Sequence, residues 1–181
     1  MEKAKNKQSM RVLGIDPSVR STGFGIIEYS DNSYSVIDYG AIKPKRSLLF
    51  HHKINMIKNR LQEIIETHQP DEAAIENPFY AQNIKTAITL GQVRGAALVA
   101  VASSECSLYE YSPLEIKKAV TGYGRADKSQ VQSMIKTLLN MAGKKLGTDA
   151  SDALATAYCH MNSRIFAQKI KESPENTSQK K

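Results

Sequence analysis

The order of apolar runs along this chain limits the folds that it can adopt. Three runs joined by short polar turns come first, over 11–15, 24–29 and 34–42, and their composition predicts β-strands. Two further strands, 73–76 and 108–111, alternate with helical segments. Consecutive strands joined by short turns pair antiparallel, whereas a strand–helix–strand crossover places its two strands parallel. The sequence therefore predicts an α/β domain with a five-stranded mixed sheet flanked by helices.

Apolar residues at helical spacing mark the segments between and after the later strands. The predicted helices run from Phe50 to a stop at Gln69-Pro70 and over 81–103, 113–120, 128–141 and 152–166. The polar segments 1–9 and 168–181 lack this pattern, so we predict flexible tails around a single domain, 10–167.

Four carboxylates stand at the ends of these elements. Asp16 and Glu76 each close an apolar strand, and the carboxyl ends of neighbouring parallel strands meet at one edge of a sheet. Asp149 and Asp152 lie three residues apart at the start of the last helix and share one of its faces. Oxygen ligands without a Cys or His cluster suit Mg²⁺ or Mn²⁺. Each acid also has an ordinary interpretation, as a turn residue, a solvated strand end or a helix cap.

The composition of the chain indicates which class of partner the protein binds and in which cellular compartment we expect it. The formal net charge of +7 favours an anionic partner such as nucleic acid, although many basic proteins have none. Cys106 and Cys159 fit neither a zinc site nor a disulfide framework, which favours a reducing compartment. We expect no apolar stretch of the ~20 residues that a membrane span needs, and the cytoplasm as the location.

The four histidines, His160 among them, are interpreted as surface or helix-face residues without a role. Tyr109 and Tyr111, on the last predicted strand, are interpreted as packing residues.

A set of short motifs carries a more specific signal. They are Gly14-Ile15-Asp16-Pro17, Thr22-Gly23-Phe24-Gly25, Ile75-Glu76-Asn77-Pro78-Phe79, the segments 90–95, 117–124 and 127–132, and Asp149 to Ala155. In this order and spacing they resemble the RuvC family of Holliday-junction resolvases, within the ribonuclease H-like superfamily. The resemblance covers about 10–163.

The resemblance implies roles for particular residues. The family's catalytic acids fall on Asp16, Glu76, Asp149 and Asp152, which would hold two Mg²⁺ ions per site, with Mn²⁺ able to substitute. Some members have a histidine where Asp149 stands. Lys128 and Lys118 fall on basic positions used near the scissile phosphate and the junction backbone, and Phe79 falls on an aromatic that acts against bases at the junction centre. Further DNA contacts are predicted for the adjacent Lys117, Tyr80 and Arg125.

The resemblance also implies a reaction and partners. It implies paired, symmetric nicking of a four-way DNA junction in recombination and repair, by a homodimer that cooperates with the RuvA–RuvB branch-migration complex. Gly91 and Gly95 give the helix over 81–103 a face of small residues, which either packs on its own sheet or forms the dimer interface.

Three alternatives remain open from the residues. One is a nuclease of the same fold that acts on RNA precursors, and another is a junction-binding protein without catalysis. The third is an actin-like ATPase or a sugar kinase, since Gly14-Ile15-Asp16 with Thr22-Gly23 can hold a phosphate. That fold needs a second half of similar size, for which this chain is too short.

Overall fold

The computed structural model describes residues 9–77 and 83–172. In chain order the elements are β1 (Met10–Asp16), β2 (Thr22–Ser30), β3 (Ser33–Ile42), α1 (Phe50–His68), β4 (Glu72–Glu76), α2 (Ile84–Ala102), β5 (Ser107–Tyr111), α3 (Pro113–Thr121), α4 (Lys128–Leu138) and α5 (Thr148–Glu172).

The five strands form one mixed sheet in the order β3-β2-β1-β4-β5. β1 pairs antiparallel with β2, and β2 with β3, across a tight turn in which Asp31 and Asn32 take positive φ angles of 56° and 58°. β1 and β4, and then β4 and β5, are parallel neighbours. The predicted fold class is therefore confirmed, and the carboxyl ends of β1 and β4 lie side by side.

Alternation along the strands sends side chains to two separate cores. On one face, Leu13, Ile15 and Ile75 pack with α1 and α2. On the other face, Val12 and Ile27 pack with α3, α4 and α5. The second face carries the carboxylates, because Asp16 follows Val12 and Gly14 at period two.

The bounds of α4 and α5 differ from the sequence prediction. α4 ends at Leu138 and not at 141, because Asn140 takes a left-handed φ of 53° and Met141 donates back to the carbonyl of Lys136. α5 begins at Thr148 and continues to Glu172, so the predicted tail was wrong for residues 168–172. Because α5 packs on the sheet, the helix can continue beyond the packed region, and the local sequence pattern does not mark where it ends.

The expectation of no stretch long enough for a membrane span was also wrong. Within the described residues, α2 alone is long and apolar enough by length and composition, with a mean hydropathy of 1.2. Val93, Ala97 and Val101 on its inner face are buried in the core against the sheet and α1, and 28% of the apolar window is buried in all. One such helix is weak support for a span, since core helices pass the same test.

Candidate active site

Three glycines let α5 lie directly against β1 and β2. A Cβ added at Gly14 would stand 2.0 Å from the carbonyl oxygen of Ala153, and one at Gly23 would stand 2.0 Å from that of Asp149. A Cβ at Gly25 would stand 2.7 Å from the side chain of Leu154. Any larger residue would force the helix away from the sheet. The glycine motifs in β1 and β2 therefore set how closely the start of α5 approaches Asp16.

This approach brings the four predicted acids to one edge of the sheet. Asp16 ends β1 and Glu76 ends β4, and the residues just before them, Ile15 and Ile75, are partners in the parallel register. Asp149 and Asp152 lie in the first turns of α5, above that edge. We call these four residues the acid edge.

Burial and neighbouring negative charges raise the pKa of two carboxyls of the acid edge, Asp16 and Glu76. The pKa of Asp16 rises from 3.8 to about 7, first because the carboxyl is buried and then because Glu76, Asp152 and Asp149 are negative. Burial and the charge of Asp152 also raise the pKa of Glu76. The charge effects require the acids to lie close together, and the nearby lysines offset them only in part.

Lys128 is the lysine that contacts the acid edge directly. Its Nζ donates to Asp152 Oδ2 at 2.9 Å, and this hydrogen bond, against the effect of burial, raises the pKa of the ammonium. The position follows from local sequence, since Asp127 and Gln130 form a capping box that starts α4 at Lys128. The ammonium remains well exposed, with 78% of the side chain accessible.

A cavity of about 200 Å³ adjoins the acid edge between α3, α4 and α5. It is lined by Glu76, Pro113, Ile116, Lys117, Lys128, Val131, Asp152 and Ala155. Lys117 reaches this cavity and lowers the pKa of Glu76, whereas its neighbour Lys118 is exposed and does not line it. Consecutive residues on a helix point about 100° apart, so only one of the two lysines can face the acids.

Sequence analysis missed Ser21. Its hydroxyl donates to Asp149 Oδ2 at 2.5 Å and so fixes one carboxylate of the acid edge from the β1–β2 turn. No local pattern marks this serine, because its partner lies 128 residues away along the chain.

The remaining predicted DNA contacts are Arg125, Phe79 and Tyr80. Arg125 is exposed on the α3–α4 connection, three residues before Lys128. Phe79 and Tyr80 lie outside the described residues.

The donor set fits a hard divalent cation. Carboxylates from β1, β4 and α5 meet where the pKa of Asp16 is about 7, so a cation would relieve their repulsion. Within 9–77 and 83–172, no three His, Cys, Asp or Glu side chains already stand in a metal-binding arrangement. Binding would therefore draw the carboxylates closer and compete with Lys128 for Asp152.

Comparison with known proteins decides the family. The family model described as crossover junction endodeoxyribonuclease RuvC matches residues 12–160. The chain belongs to the RuvC family. A RuvC from Alkaliphilus metalliredigens is 46% identical over 162 residues, covering 90% of this chain and 99% of the relative. A RuvC from Ruminiclostridium cellulolyticum is 44% identical over 154 residues, covering 85% and 93%.

Solved RuvC structures agree with this assignment. Thermus thermophilus RuvC in complex with Holliday junction substrate superposes with a TM-score of 0.80 at 26% identity, over 87% of this chain and 96% of the other. The ribonuclease H-like fold and the family resemblance are thus confirmed. The protein is an endodeoxyribonuclease, a hydrolase acting on DNA, of a metal-dependent family.

Proposed function

We propose that the protein resolves four-way DNA junctions by paired, symmetric nicking, with the acid edge as its active site and Mg²⁺ as its cofactor. The observation that supports this most directly is the meeting of four carboxylates from β1, β4 and α5 at one sheet edge, where burial and the neighbouring charges raise the pKa of Asp16 to about 7. Mn²⁺ would substitute, because it accepts the same oxygen ligands.

Hydrolysis of a phosphodiester needs an activated water and relief of the charge on the leaving oxygen. Asp16, Glu76, Asp149 and Asp152 would hold Mg²⁺, which would supply Lewis-acid stabilisation of the phosphate and would lower the pKa of water. The carboxylates would orient the cation, and because the pKa of Asp16 is raised to about 7, cation binding would shift this carboxyl to its ionised form.

The lysines beside the acids act on the substrate phosphate. The Lys128 ammonium is exposed and lies 2.9 Å from Asp152, so it can turn to a phosphate oxygen once a cation takes that carboxylate. Lys117 faces the same cavity and adds a second positive charge. Positive groups placed before the reaction stabilise the charge that develops on the phosphate. Lys118, Arg125, Phe79 and Tyr80 are proposed as contacts to the junction backbone and bases outside this centre.

A second copy of the chain would cover the exposed face of α2. Ile84, Ile88 and Val99 are 79%, 57% and 55% exposed. With Gly91 and Gly95 they follow one another at spacings of three and four, which places them on one helix face. A Cβ at either glycine would meet nothing within 4 Å, so this face does not pack on the protein's own sheet. A two-fold dimer would give a four-way junction two equivalent active sites.

The substrate and the acids are tested together by cleavage of a labelled synthetic four-way junction in Mg²⁺. Linear duplex, single-stranded DNA and structured RNA serve as substrate controls. Asp16→Asn is compared with Asp31→Asn, the same chemical change in the β2–β3 turn. We expect paired symmetric nicks in the junction alone, lost in Asp16→Asn and kept in Asp31→Asn. Cleavage of RNA instead, or junction binding without any cut in Mg²⁺ or Mn²⁺, would overturn the proposal.

The dimer is tested by sedimentation of the natural protein beside Ile88→Glu. We expect a dimer that becomes a monomer in the variant, with loss of paired nicking. Val99→Ser on the same face should weaken the dimer less. A natural protein that sediments as a monomer while cutting symmetrically would contradict the dimer.

We also propose that the protein is located in the cytoplasm and that it works with the RuvA–RuvB branch-migration complex.

A further inference from the structure

A second cluster of ionisable groups lies further along the contact between α5 and the sheet. Glu72, the first residue of β4, is only 9% exposed. His160 Nε2 meets its Oε2 at 2.6 Å, and Arg164 Nη2 meets its Oε1 at 2.9 Å. His160 and Arg164 are one turn apart on α5, so both oxygens of the carboxylate bind the same helix.

The cluster also includes β5. The Tyr111 hydroxyl lies 2.8 Å from His160 Nδ1, and the Tyr109 ring stacks on the imidazole with centroids 4.4 Å apart. The Arg164 guanidinium lies 5.9 Å from the Tyr109 ring centre. We call Glu72, Tyr109, Tyr111, His160 and Arg164 the Glu72 cluster.

The hydrogen-bond geometry fits a neutral imidazole at His160. In that form Nε2–H donates to Glu72, and Nδ1 accepts from the Tyr111 hydroxyl. Burial lowers the pKa of His160 against the opposing effect of Glu72, which favours the same form. Arg164 supplies the charge that balances Glu72.

Burying such a cluster carries a desolvation cost that an apolar contact between helix and sheet would not have. A fully buried imidazole, a nearly buried carboxylate and two tyrosines lose water, and apolar side chains would pack α5 equally well without that loss. Hydrogen bonds fix direction and distance in a way that apolar contacts do not. The cluster therefore attaches α5 to β4 and also fixes its position along the strand.

That position matters because the same two elements carry the acids. Glu72 and Glu76 are four apart on β4 and share a face, and Tyr111 is the register partner of Glu76 in the sheet. His160 follows Asp152 by eight residues, about 12 Å along the helix. At the acid edge, the negative charges of Glu76 and Asp152 oppose the approach of α5 to β4, and the Glu72 cluster holds the same two elements together.

We propose that the Glu72 cluster is a positioning device that holds Asp149 and Asp152 of α5 at the spacing from Glu76 that divalent-metal binding requires. This rests on the proposed role of the acid edge in binding metal. Displacing a ligand by about 1 Å is costly to a preorganised site, and residues that orient ligands typically change metal affinity by about 10–100-fold.

The test compares His160→Phe with Met161→Ala. The first keeps a ring against Tyr109 and removes both hydrogen bonds of the imidazole. The second opens a cavity at the next, fully buried residue of α5 and leaves the cluster intact. Tyr111→Phe, which removes a single hydroxyl, is a milder variant that retains the packing if His160→Phe folds poorly.

The readouts are Mn²⁺ affinity by calorimetry without DNA, junction affinity in EDTA, and thermal stability. We expect His160→Phe to weaken Mn²⁺ binding about tenfold, and Tyr111→Phe less, with junction affinity in EDTA unchanged. Met161→Ala should lower thermal stability and leave Mn²⁺ affinity within about twofold.

Two results would overturn the positioning role. One is unchanged Mn²⁺ affinity in both His160→Phe and Tyr111→Phe, and the other is an equal loss in Met161→Ala. A natural protein that binds no Mn²⁺ would instead refute the proposed metal site itself, so the two failures can be distinguished.

Discussion

Along the contact between α5 and β4, buried charge is balanced at one end and only partly balanced at the other. In the Glu72 cluster, both carboxylate oxygens bind donors from α5 and a guanidinium balances the charge. At the acid edge, Lys128 bonds Asp152 alone among the four carboxylates, and burial with the neighbouring charges raises the pKa of Asp16 to about 7. The first arrangement stabilises the fold. The second lowers the stability of the metal-free protein and leaves carboxylate oxygens available to bind a cation.

Replacing one carboxylate by its amide at each end should give the largest effects, and these effects on stability and cleavage should have opposite patterns at the two ends. Asp16→Asn should lower junction cleavage on the order of 10³-fold, because a ligand is lost. Without metal at pH 8 it should raise the free energy of unfolding by about 2 kcal/mol, because repulsion is relieved. Denaturant unfolding and single-turnover cleavage measure both.

Glu72→Gln should do the reverse. Its amide keeps one acceptor oxygen, and its NH2 group cannot accept, so one of the two α5 donors loses its partner. The free energy of unfolding should fall by about 2 kcal/mol, while cleavage in saturating Mg²⁺ should stay within about tenfold of normal. If Asp16→Asn destabilised the metal-free protein as much as Glu72→Gln does, the two ends would not differ as described.

The glycine contacts hold α5 at the distance that the acid edge needs. Gly23→Ala should lower the free energy of unfolding by about 3 kcal/mol, because its Cβ would collide with the backbone of Asp149. Gly147→Ala, just before α5, is the control, since its Cβ would meet nothing within 4 Å. Equal stability of the two variants in urea would show that the close approach is not required.

Lys128 partly neutralises the acid edge. Lys128→Met should lower the cleavage rate about 100-fold, because a positive group is lost beside the phosphate. Junction binding without metal should weaken only slightly, since a single phosphate contact is removed. Single-turnover rates and binding curves separate the two effects. A variant that cuts normally would exclude Lys128 from the reaction.

The two ends should respond to pH with opposite sign when metal is absent. The pKa of Asp16 is raised, so its stabilising contribution is complete below about pH 4 and is lost as pH rises to about 7. The pKa of His160 is lowered, so its contribution is lost as pH falls below 6.5. Unfolding free energies between pH 4 and 8 should show the first trend more strongly in the natural protein than in Asp16→Asn, where the raised pKa of Glu76 remains. The same slope in both would contradict this assignment.

The two neighbouring lysines of α3 give the smallest expected contrast. Lys117→Gln should lower cleavage about tenfold, because it removes a positive charge from the cavity beside Glu76. Lys118→Gln should change cleavage less than twofold, since that side chain points to solvent. The opposite ranking in matched single-turnover assays would mean that the DNA lies on the other side of α3.

Much of the acid edge could be predicted from sequence, because strand ends and helix starts are local features. Asp16 and Glu76 follow apolar strands, and crossover topology alone places such ends together. The choice between Lys117 and Lys118 could not be predicted, since it depends on how α3 is rotated against the sheet.

The Glu72 cluster could not be predicted for a different reason. Glu72 and His160 lie 88 residues apart, and nothing local marks either as paired. His160 was interpreted as a surface or helix-face residue, which was wrong, since it is fully buried. Tyr109 and Tyr111 do pack, as expected, but against this histidine.

The central claim is that the acid edge is one cation-binding site whose repulsion a divalent ion relieves. Thermal unfolding at pH 8, with and without Mg²⁺, tests it most directly in the natural protein, Asp16→Asn and Asp31→Asn. At a Mg²⁺ concentration about tenfold above its Kd, the melting temperature of the natural protein and of Asp31→Asn should rise by about 4 °C. That of Asp16→Asn should not move. No rise in the natural protein, or an equal rise in Asp16→Asn, would contradict the account.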